Sequence, residues 1–504
     1  MSIFQGSKTK KMSYLLALDQ GTTSSRAIIF DEHGKIHATA QREIQIKTPK
    51  SGWVEQDAQE IWTTQIAVVQ QAIASARLLA KDVKALGVTN QRETTVIWDK
   101  RTGRALAPAI VWQDRRAVEW CNDLLQKNYL EKIQHKTGLR IDPYFSAGKL
   151  VWLLENIDGL RALAEQGHVA FGTIDSWLIW NLTQGSEHVI EVSNASRTML
   201  MNLKSQQWDD ELIELFNIPQ SVLPKIIDSD QYISNTAAGL LGAEIPIAGI
   251  LGDQQSALFG QSCFEVGTAK NTYGTGCFML FNTGHDIQYS QNQLLSTLAW
   301  RCQNQSNYAL EGSVFMAGAI VQWLRDGLGI IRNSTEVEKL ACKVKDTDGV
   351  VLVPAFTGLG APHWDSEARA LLCGMSRGTN KSHIARAALE SIAFQVSDVL
   401  TAMQSDISQP LKELRVDGGA SQNDMLMQFQ ADILNVPVLR PKLLESTAWG
   451  AAAMAGLKMG VFSNLNEISE SWQLDRAFEP NMQEDERQFH LQQWNDALQR
   501  AKSH

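Results

Sequence analysis

The chain has 504 residues, a formal net charge of −9, 44% hydrophobic residues and 20% charged residues; one core seldom serves more than about 250 to 300 residues, so two domains with a cleft between them are expected and disorder is excluded. The acidic balance excludes a nucleic-acid surface, because local basic clusters such as Arg115-Arg116 are too short to make the stripe that phosphate binding needs. The six cysteines, at 121, 263, 277, 302, 342 and 373, show no Cys-x-x-Cys pair or metal-type spacing, which argues against structural zinc and for free thiols in a reducing compartment.

Residues 1–12 are polar and basic and read as a flexible N-terminal extension. No apolar stretch of signal-peptide length follows, and no run of about 18 apolar residues occurs, so a cytoplasmic protein with no membrane insertion is expected. The sequons at Asn181 and Asn194 then carry no meaning. Tyr14 to Asp19 is an apolar run ending in an acid; Gly21 to Ser25 makes a turn, and Arg26 to Phe30 resumes the strand pattern, giving a β-hairpin. Asp57 to Leu79 has helical spacing and Val83 to Val88 strand character, so strands and helices alternate in an α/β chain. Asp253 precedes a predicted helix from Gln254 to Gly260, and the boundary between domains 13–261 and 262–504 is placed there. A second hairpin follows, Asn271 to Tyr273, Gly274-Thr275-Gly276, then Cys277 to Leu280, which suggests duplicated halves. Ile384, Ala388, Ile392, Val396, Leu400 and Met403 mark one face of a helix of more than six turns. Leu414 to Asp417 reads as a strand, Gly418-Gly419 as a tight turn and Asn423 to Leu434 as a helix, a unit able to receive a nucleotide.

In Asp19-Gln20-Gly21-Thr22-Thr23-Ser24-Ser25-Arg26, glycine allows close backbone approach, N–H groups and hydroxyls can solvate phosphate oxygens, and Arg26 adds charged donors. Asp19 could hold a hydrated Mg²⁺. A polar hairpin turn with an incidental acid is an equally good reading of so short a segment. No Gly-x-x-x-x-Gly-Lys-Ser/Thr loop occurs, and Gly274-x-Gly276 and Gly358-x-Gly360 lack the third glycine of a dinucleotide fingerprint.

Seven segments taken together resemble the FGGY family of carbohydrate kinases: Leu16 to Arg26, Gly87 to Thr95, Ile110 to Arg116, Tyr144 to Leu150, Gly252 to Gln255, Tyr273 to Phe278 and Asp417 to Ala420. They run in order from about residue 14 to 460. The resemblance implies two α/β domains of the actin-like, ribonuclease H-like ATPase fold, ATP as co-substrate with Mg²⁺, glycerol as acceptor, and a homo-oligomer, dimer or tetramer. It assigns Arg92 and Glu93 to two acceptor hydroxyls, Trp112 and Phe278 to the carbon edge, and Tyr144 and Gln254 to the polar side. Asp253 becomes the catalytic base, because an alcohol must lose its proton as it attacks the γ-phosphorus. Thr22, Thr23, Ser24, Arg26 and Thr275 map to phosphate contacts, Gly318, Gln322, Gly419 and Asn423 to the nucleotide, and Asp19 to the metal.

Each residue has a plainer reading: a surface ion pair for Arg92-Glu93, core packing for Trp112, a helix cap for Asp253. Gly148, His363 and Trp449 depart from the family pattern without touching the assigned contacts. Residues 239–247 match a loop where bacterial members can bind fructose 1,6-bisphosphate, but Glu244 would repel a phosphate, so weak or absent inhibition is expected. A relative acting on a pentulose or hexonate, and a non-enzymatic actin-like ATP binder, are the alternatives; the segment Asn90 to Thr95 favours glycerol.

Overall fold

In the computed structural model of the protein, which describes residues 12–365, 367–407 and 409–503, the first hairpin is β1 (Tyr14–Gln20) antiparallel to β2 (Ser24–Asp31), with Gln20 opposite Ser25 across the turn. Apart from Met12, the N-terminal extension lies outside the described residues. β3 (Ile36–Glu43) continues antiparallel on β2, whereas β4 (Val83–Asn90) lies parallel to β1 and β5 (Pro246–Gly252) parallel to β4. α1 (Ala58–Ser75) is shorter than the predicted Asp57–Leu79. Asp57 sits outside as its cap, accepting from the Gln59 N–H at 2.8 Å, and the left-handed backbone of Arg77 (φ 56°) turns the chain at the far end. β1 reads as unbroken apolar sequence because both its faces are covered: Leu16 and Leu18 pack with Ile61 and Val68 of α1, while Leu15 and Ala17 face a second core.

The second sheet contains β6 (Thr268–Tyr273), β7 (Cys277–Gly284), β8 (Leu295–Cys302), β9 (Gln305–Val314), β10 (Glu413–Asp417), β11 (Val438–Pro441) and β12 (Leu474–Phe478), in the order β8-β9-β7-β6-β10-β11-β12. The series β3-β2-β1-β4-β5 and β9-β7-β6-β10-β11 share one pattern, two antiparallel pairings followed by two parallel ones. The duplication suggested by the two hairpins is therefore present, in a two-domain α/β architecture.

Each half ends its series with a helix: α2 (Asp253–Gly260) follows β5, and after α3 (Lys381–Asp406) and α4 (Asp424–Leu434), α5 (Ser446–Lys458) follows β11. The two terminal helices meet, with Ser256 Oγ donating to the Thr447 carbonyl at 2.6 Å. α5 lies on the first sheet so closely that a Cβ on Gly87 would sit 2.1 Å from the Ala451 carbonyl oxygen; only glycine on β4 admits this approach. Among the described residues no helix is long and apolar enough to cross a membrane.

Candidate active site

β1, β4 and β5 are in parallel register, Gln20 beside Asn90 and Asn90 beside Gly252, so their carboxyl ends bring Asp19, Arg92-Glu93 and Asp253 to one edge of the first sheet. Past β4 the chain is held by the Gln91 N–H donating to the Gln20 carbonyl at 2.9 Å, by Asn90 Nδ2 donating to Asn194 Oδ1 at 2.9 Å and by Thr94 Oγ1 donating to Gln91 Oε1 at 2.8 Å. Gly252 lets the Arg92 side chain lie across this edge; a Cβ there would come 2.8 Å from Arg92 Cγ. Asp253 is the first residue of α2, and Gly252 occupies the cap position that the sequence assigns to Asp253. β5 runs into α2 without a loop, so the carboxylate already belongs to the helix, and its Oδ1 accepts the Gln254 N–H at 2.7 Å.

Arg92 and Glu93 are not a surface pair; each is only 2% exposed. Their nearest approach is 3.7 Å, and each has a better partner. Arg92 Nε lies 3.2 Å from Asp253 Oδ1, while Nη1 and Nη2 donate to Glu311 at 2.5 and 2.9 Å and Nη2 also reaches the Tyr144 hydroxyl at 3.3 Å. Glu93 accepts from Arg197 Nε at 2.7 Å, and Arg197 Nη2 donates to Glu311 at 3.0 Å. Gln255 Oε1 accepts from Arg92 Nη1 at 3.2 Å. Gln254 accepts from Lys270 Nζ at 2.5 Å, and the same ammonium donates to Thr272 at 2.9 Å. Glu311, Arg197, Gln255 and Lys270 were not assigned from sequence. Two of them carry a signal: Glu311 and Lys270 are the sole charged residues of β9 and β6.

Loss of hydration raises Asp253 to about 6, with Arg92 and Lys270 opposing the rise and Glu93 adding to it. Its side chain keeps 30% of its surface exposed. Burial works against ionisation of Glu311 too, but Arg197 and Arg92 together hold it down at about 2. Burial lowers Lys270 to about 8 against the pull of Asp417 and Asp253.

An aromatic wall faces these charges. The Trp112 ring meets Tyr144 edge-on at 5.6 Å and Phe278 at 6.4 Å, and its Nε1 donates to Thr22 Oγ1 at 2.9 Å. Tyr144 is fixed from behind by Lys149, whose buried ammonium donates to the Pro143, Tyr144 and Phe145 carbonyls at 2.9, 2.5 and 3.2 Å. Two of the departures from family pattern are packing choices: a Cβ on Gly148 would lie 2.9 Å from the Ala117 Cβ, and the Trp449 ring packs edge-on against Phe30 at 5.3 Å.

At the first hairpin, Arg26 donates to Asp19 Oδ2 through Nε at 3.1 Å and Nη2 at 2.5 Å, and through Nη1 to Glu445 at 2.8 Å. The guanidinium therefore bridges the two halves. The Gly21 N–H donates to the Ser24 carbonyl at 3.0 Å, leaving Thr23 exposed at the tip. In the second half the 274–276 turn receives N–H groups from the segment after β9: Ala317 and Ala319 donate to the Thr275 carbonyl at 2.9 and 3.1 Å, and Gly318 to the Gly274 carbonyl at 2.9 Å. Gly419 has nothing within 4 Å of its Cβ position. Gln322 is exposed one turn beyond Gly318. Asn423 caps α4, accepting the Leu426 N–H at 2.9 Å. Among the described residues no group of three or more His, Cys, Asp or Glu gathers as a metal site. Asp19 is a single carboxylate at a strand end with both Arg26 bonds on one oxygen, a donor set that suits a hydrated Mg²⁺ bound through water and phosphate oxygens.

Residues 14–260 match the family model for the N-terminal domain of the FGGY family of carbohydrate kinases, and residues 269–459 match its C-terminal domain. The chain is 79% identical to a glycerol kinase of Acinetobacter baylyi over 492 residues, covering 98% of this chain and 99% of the relative. It is 57% identical to a glycerol kinase of Deinococcus radiodurans over 489 residues, covering 97% of each. The crystal structure of Plasmodium falciparum glycerol kinase with ADP superposes with a TM-score of 0.91 at 38% identity, over 97% of this chain and 98% of that one. A ligand-bound xylulose kinase of Lactobacillus acidophilus, 22% identical over 97% of each chain, shares the fold with a TM-score of 0.86.

Proposed function

We propose that this chain, which belongs to the FGGY family of carbohydrate kinases, performs its phosphoryl transfer to glycerol with Asp253 as the base. The activity is that of an ATP:glycerol 3-phosphotransferase, forming sn-glycerol 3-phosphate in the first step of glycerol catabolism. The observation that carries the assignment of the base is the Asp253 carboxylate, partly exposed, raised to about 6 and set 3.2 Å from the Arg92 guanidinium.

Arg92 and Glu93 hold two hydroxyls of the triol, and Tyr144 and Gln254 complete the polar side. Trp112 and Phe278 cover the short carbon edge, where burial of apolar surface is the main gain. Asp253 accepts the proton of the third hydroxyl as its oxygen attacks the γ-phosphorus, and an acid near 6 is ionised at neutral pH yet basic enough to take that proton. Thr22, Thr23, Ser24, Arg26 and Thr275 bind phosphate oxygens; Gly318, Gln322, Gly419 and Asn423 border the rest of the nucleotide. Asp19 would hold Mg²⁺, which would supply charge neutralisation for the phosphates. Arg26 exchanges Glu445 for a phosphate oxygen when ATP binds. This reading divides the chain into an acceptor- and phosphate-binding domain at 13–261 and a nucleotide-binding domain at 262–504. With all six cysteines free, it also places a homo-oligomer, dimer or tetramer, in the cytoplasm, to be checked by sedimentation and fractionation.

The test follows ADP release by purified protein with MgATP and a panel of glycerol, dihydroxyacetone, pentuloses and hexonates. Glycerol is expected to give the highest kcat/KM. A pentulose or hexonate above it, or ADP release independent of any acceptor, would overturn the reading.

A further inference from the structure

We propose that Glu311, reaching into the acceptor pocket from the second half, is a positioning residue: it occupies the far side of two arginines so that Arg92 presents only its Nε edge to Asp253. The proposal rests on the assignment of Asp253 as the base. Glu311 is fully buried on β9, with Leu280 and Leu295 as its cross-strand neighbours, so the sheet itself has no use for an acid there. A buried ion cluster adds little net stability once desolvation is counted. What the carboxylate does is geometric. It receives Arg92 Nη1 and Nη2 as a fork, at 2.5 and 2.9 Å, and Arg197 Nη2 at 3.0 Å.

Charged groups face Asp253 from several elements. Arg92 and Glu93 face it from the segment after β4, Lys270 from β6 and the Gln254 N–H from α2, with Tyr144, Arg197 and Glu311 behind them. Arg92, Arg197 and Lys270 oppose Glu93, Asp253 and Glu311, and Asp417 also draws on Lys270. Without the charge of Glu311, Arg92 Nη1 and Nη2 lose their charged partner and keep only Gln255 and the Tyr144 hydroxyl. Arg92 then turns its fork onto Asp253 and stabilises the carboxylate against protonation. The base becomes weaker, and the arginine leaves the hydroxyl it should hold.

The decisive measurement is the pH profile of kcat/KM for glycerol in Glu311→Gln and Arg197→Gln, with KM for ATP and thermal midpoints measured alongside. Glu311→Gln should lose about 10- to 100-fold in kcat/KM for glycerol and move the acid limb down by about half a pH unit or more, with KM for ATP within about threefold. Arg197→Gln should move the limb the other way, and Glu311→Asp should return it to the wild-type position. If Glu311→Gln does not fold, the direction of the Arg197→Gln shift decides the matter alone. Lower midpoints with limbs unmoved in the folded variants would reduce Glu311 to a structural filler and overturn the proposal. A wild-type enzyme that shows no acid limb, or ignores glycerol, would instead sink the reading on which the proposal rests.

Discussion

Replacing Asp253 by asparagine keeps the shape of the side chain and removes its charge, and the structure sets the size and sign of three consequences. With the folded group at about 6, about nine tenths of the wild-type enzyme carries the base form at pH 7 and about one tenth at pH 5. Thus kcat/KM for glycerol should be flat above pH 7 and fall about tenfold per unit well below 6. Asp253→Asn should lose about 10²- to 10⁴-fold in kcat, the usual range for a positioned base, with KM for ATP within about threefold, and its residual rate should lack the acid limb. Stability moves the opposite way. The folded value lies above the ordinary 3.8, so the contribution of this group is fully present below about pH 4 and is lost as pH rises through 6. At pH 7 the ionised carboxylate is therefore a net cost; a shift of about two units corresponds to about 3 kcal/mol, and screening of a side chain 30% exposed leaves about 1 to 2 kcal/mol. The asparagine variant should melt no lower than wild type, and by scanning fluorimetry up to a few degrees higher. A variant that keeps more than about a tenth of wild-type turnover, or a wild-type rate unchanged from pH 7 to pH 5, would refute the reasoning.

Trp112→Leu removes the ring contacts with Tyr144 and Phe278 and the bond to Thr22, and should raise KM for glycerol at least about tenfold in steady-state assays. Gly87→Ala drives a methyl group to 2.1 Å from the Ala451 carbonyl oxygen, so urea unfolding should show a loss of about 3 kcal/mol or more; an unmoved midpoint would contradict the docking of α5 on β4. Glu445→Gln should change stability by less than about 1 kcal/mol, since both partners are partly exposed, while lowering KM for MgATP because Arg26 no longer has to leave a carboxylate; a higher KM would count against Arg26 as a phosphate ligand.

The features legible in the sequence are those built from neighbours along the chain. Both hairpins, the β10-turn-α4 unit and the long helix α3 lie where apolar strand runs, turn glycines and helical spacing predict them, because a few adjacent residues determine each. Helix ends are less legible, since Asp57 and Asn423 are caps whose side chains fold back on the backbone. What sequence could not supply is the partner of each charge. Arg92 meets Glu311 across 219 residues, and nothing local to either says so. The usable trace was indirect: a lone acid in Gln305–Val314 and a lone lysine in Thr268–Tyr273, charges that a buried strand retains only when something across the sheet edge answers them. The docking of α5 onto the opposite sheet was equally hidden, because Gly87 and Ala451 read as ordinary small residues until their backbones are seen in contact.

The duplication also explains why the site lies where the halves meet. Each half ends its two central parallel strands, β1 and β4 in the first and β6 and β10 in the second, at one edge, and the side-chain contacts that cross there include Arg92 with Glu311, Gln254 with Lys270, Trp112 with Phe278 and Arg26 with Glu445. α2 starts at those strand ends with Asp253 and is joined to α5 by backbone-close packing that tolerates little sliding. Relative movement of the halves about α2 and α5 would open the site at the strand ends. Opening would separate Glu311 from Arg92 and Lys270 from Gln254 together, and so change the charged surroundings of Asp253. With Asp253 as the proposed base, such coupling would set it in its working environment only when the halves are together, and so keep water from taking the γ-phosphoryl group.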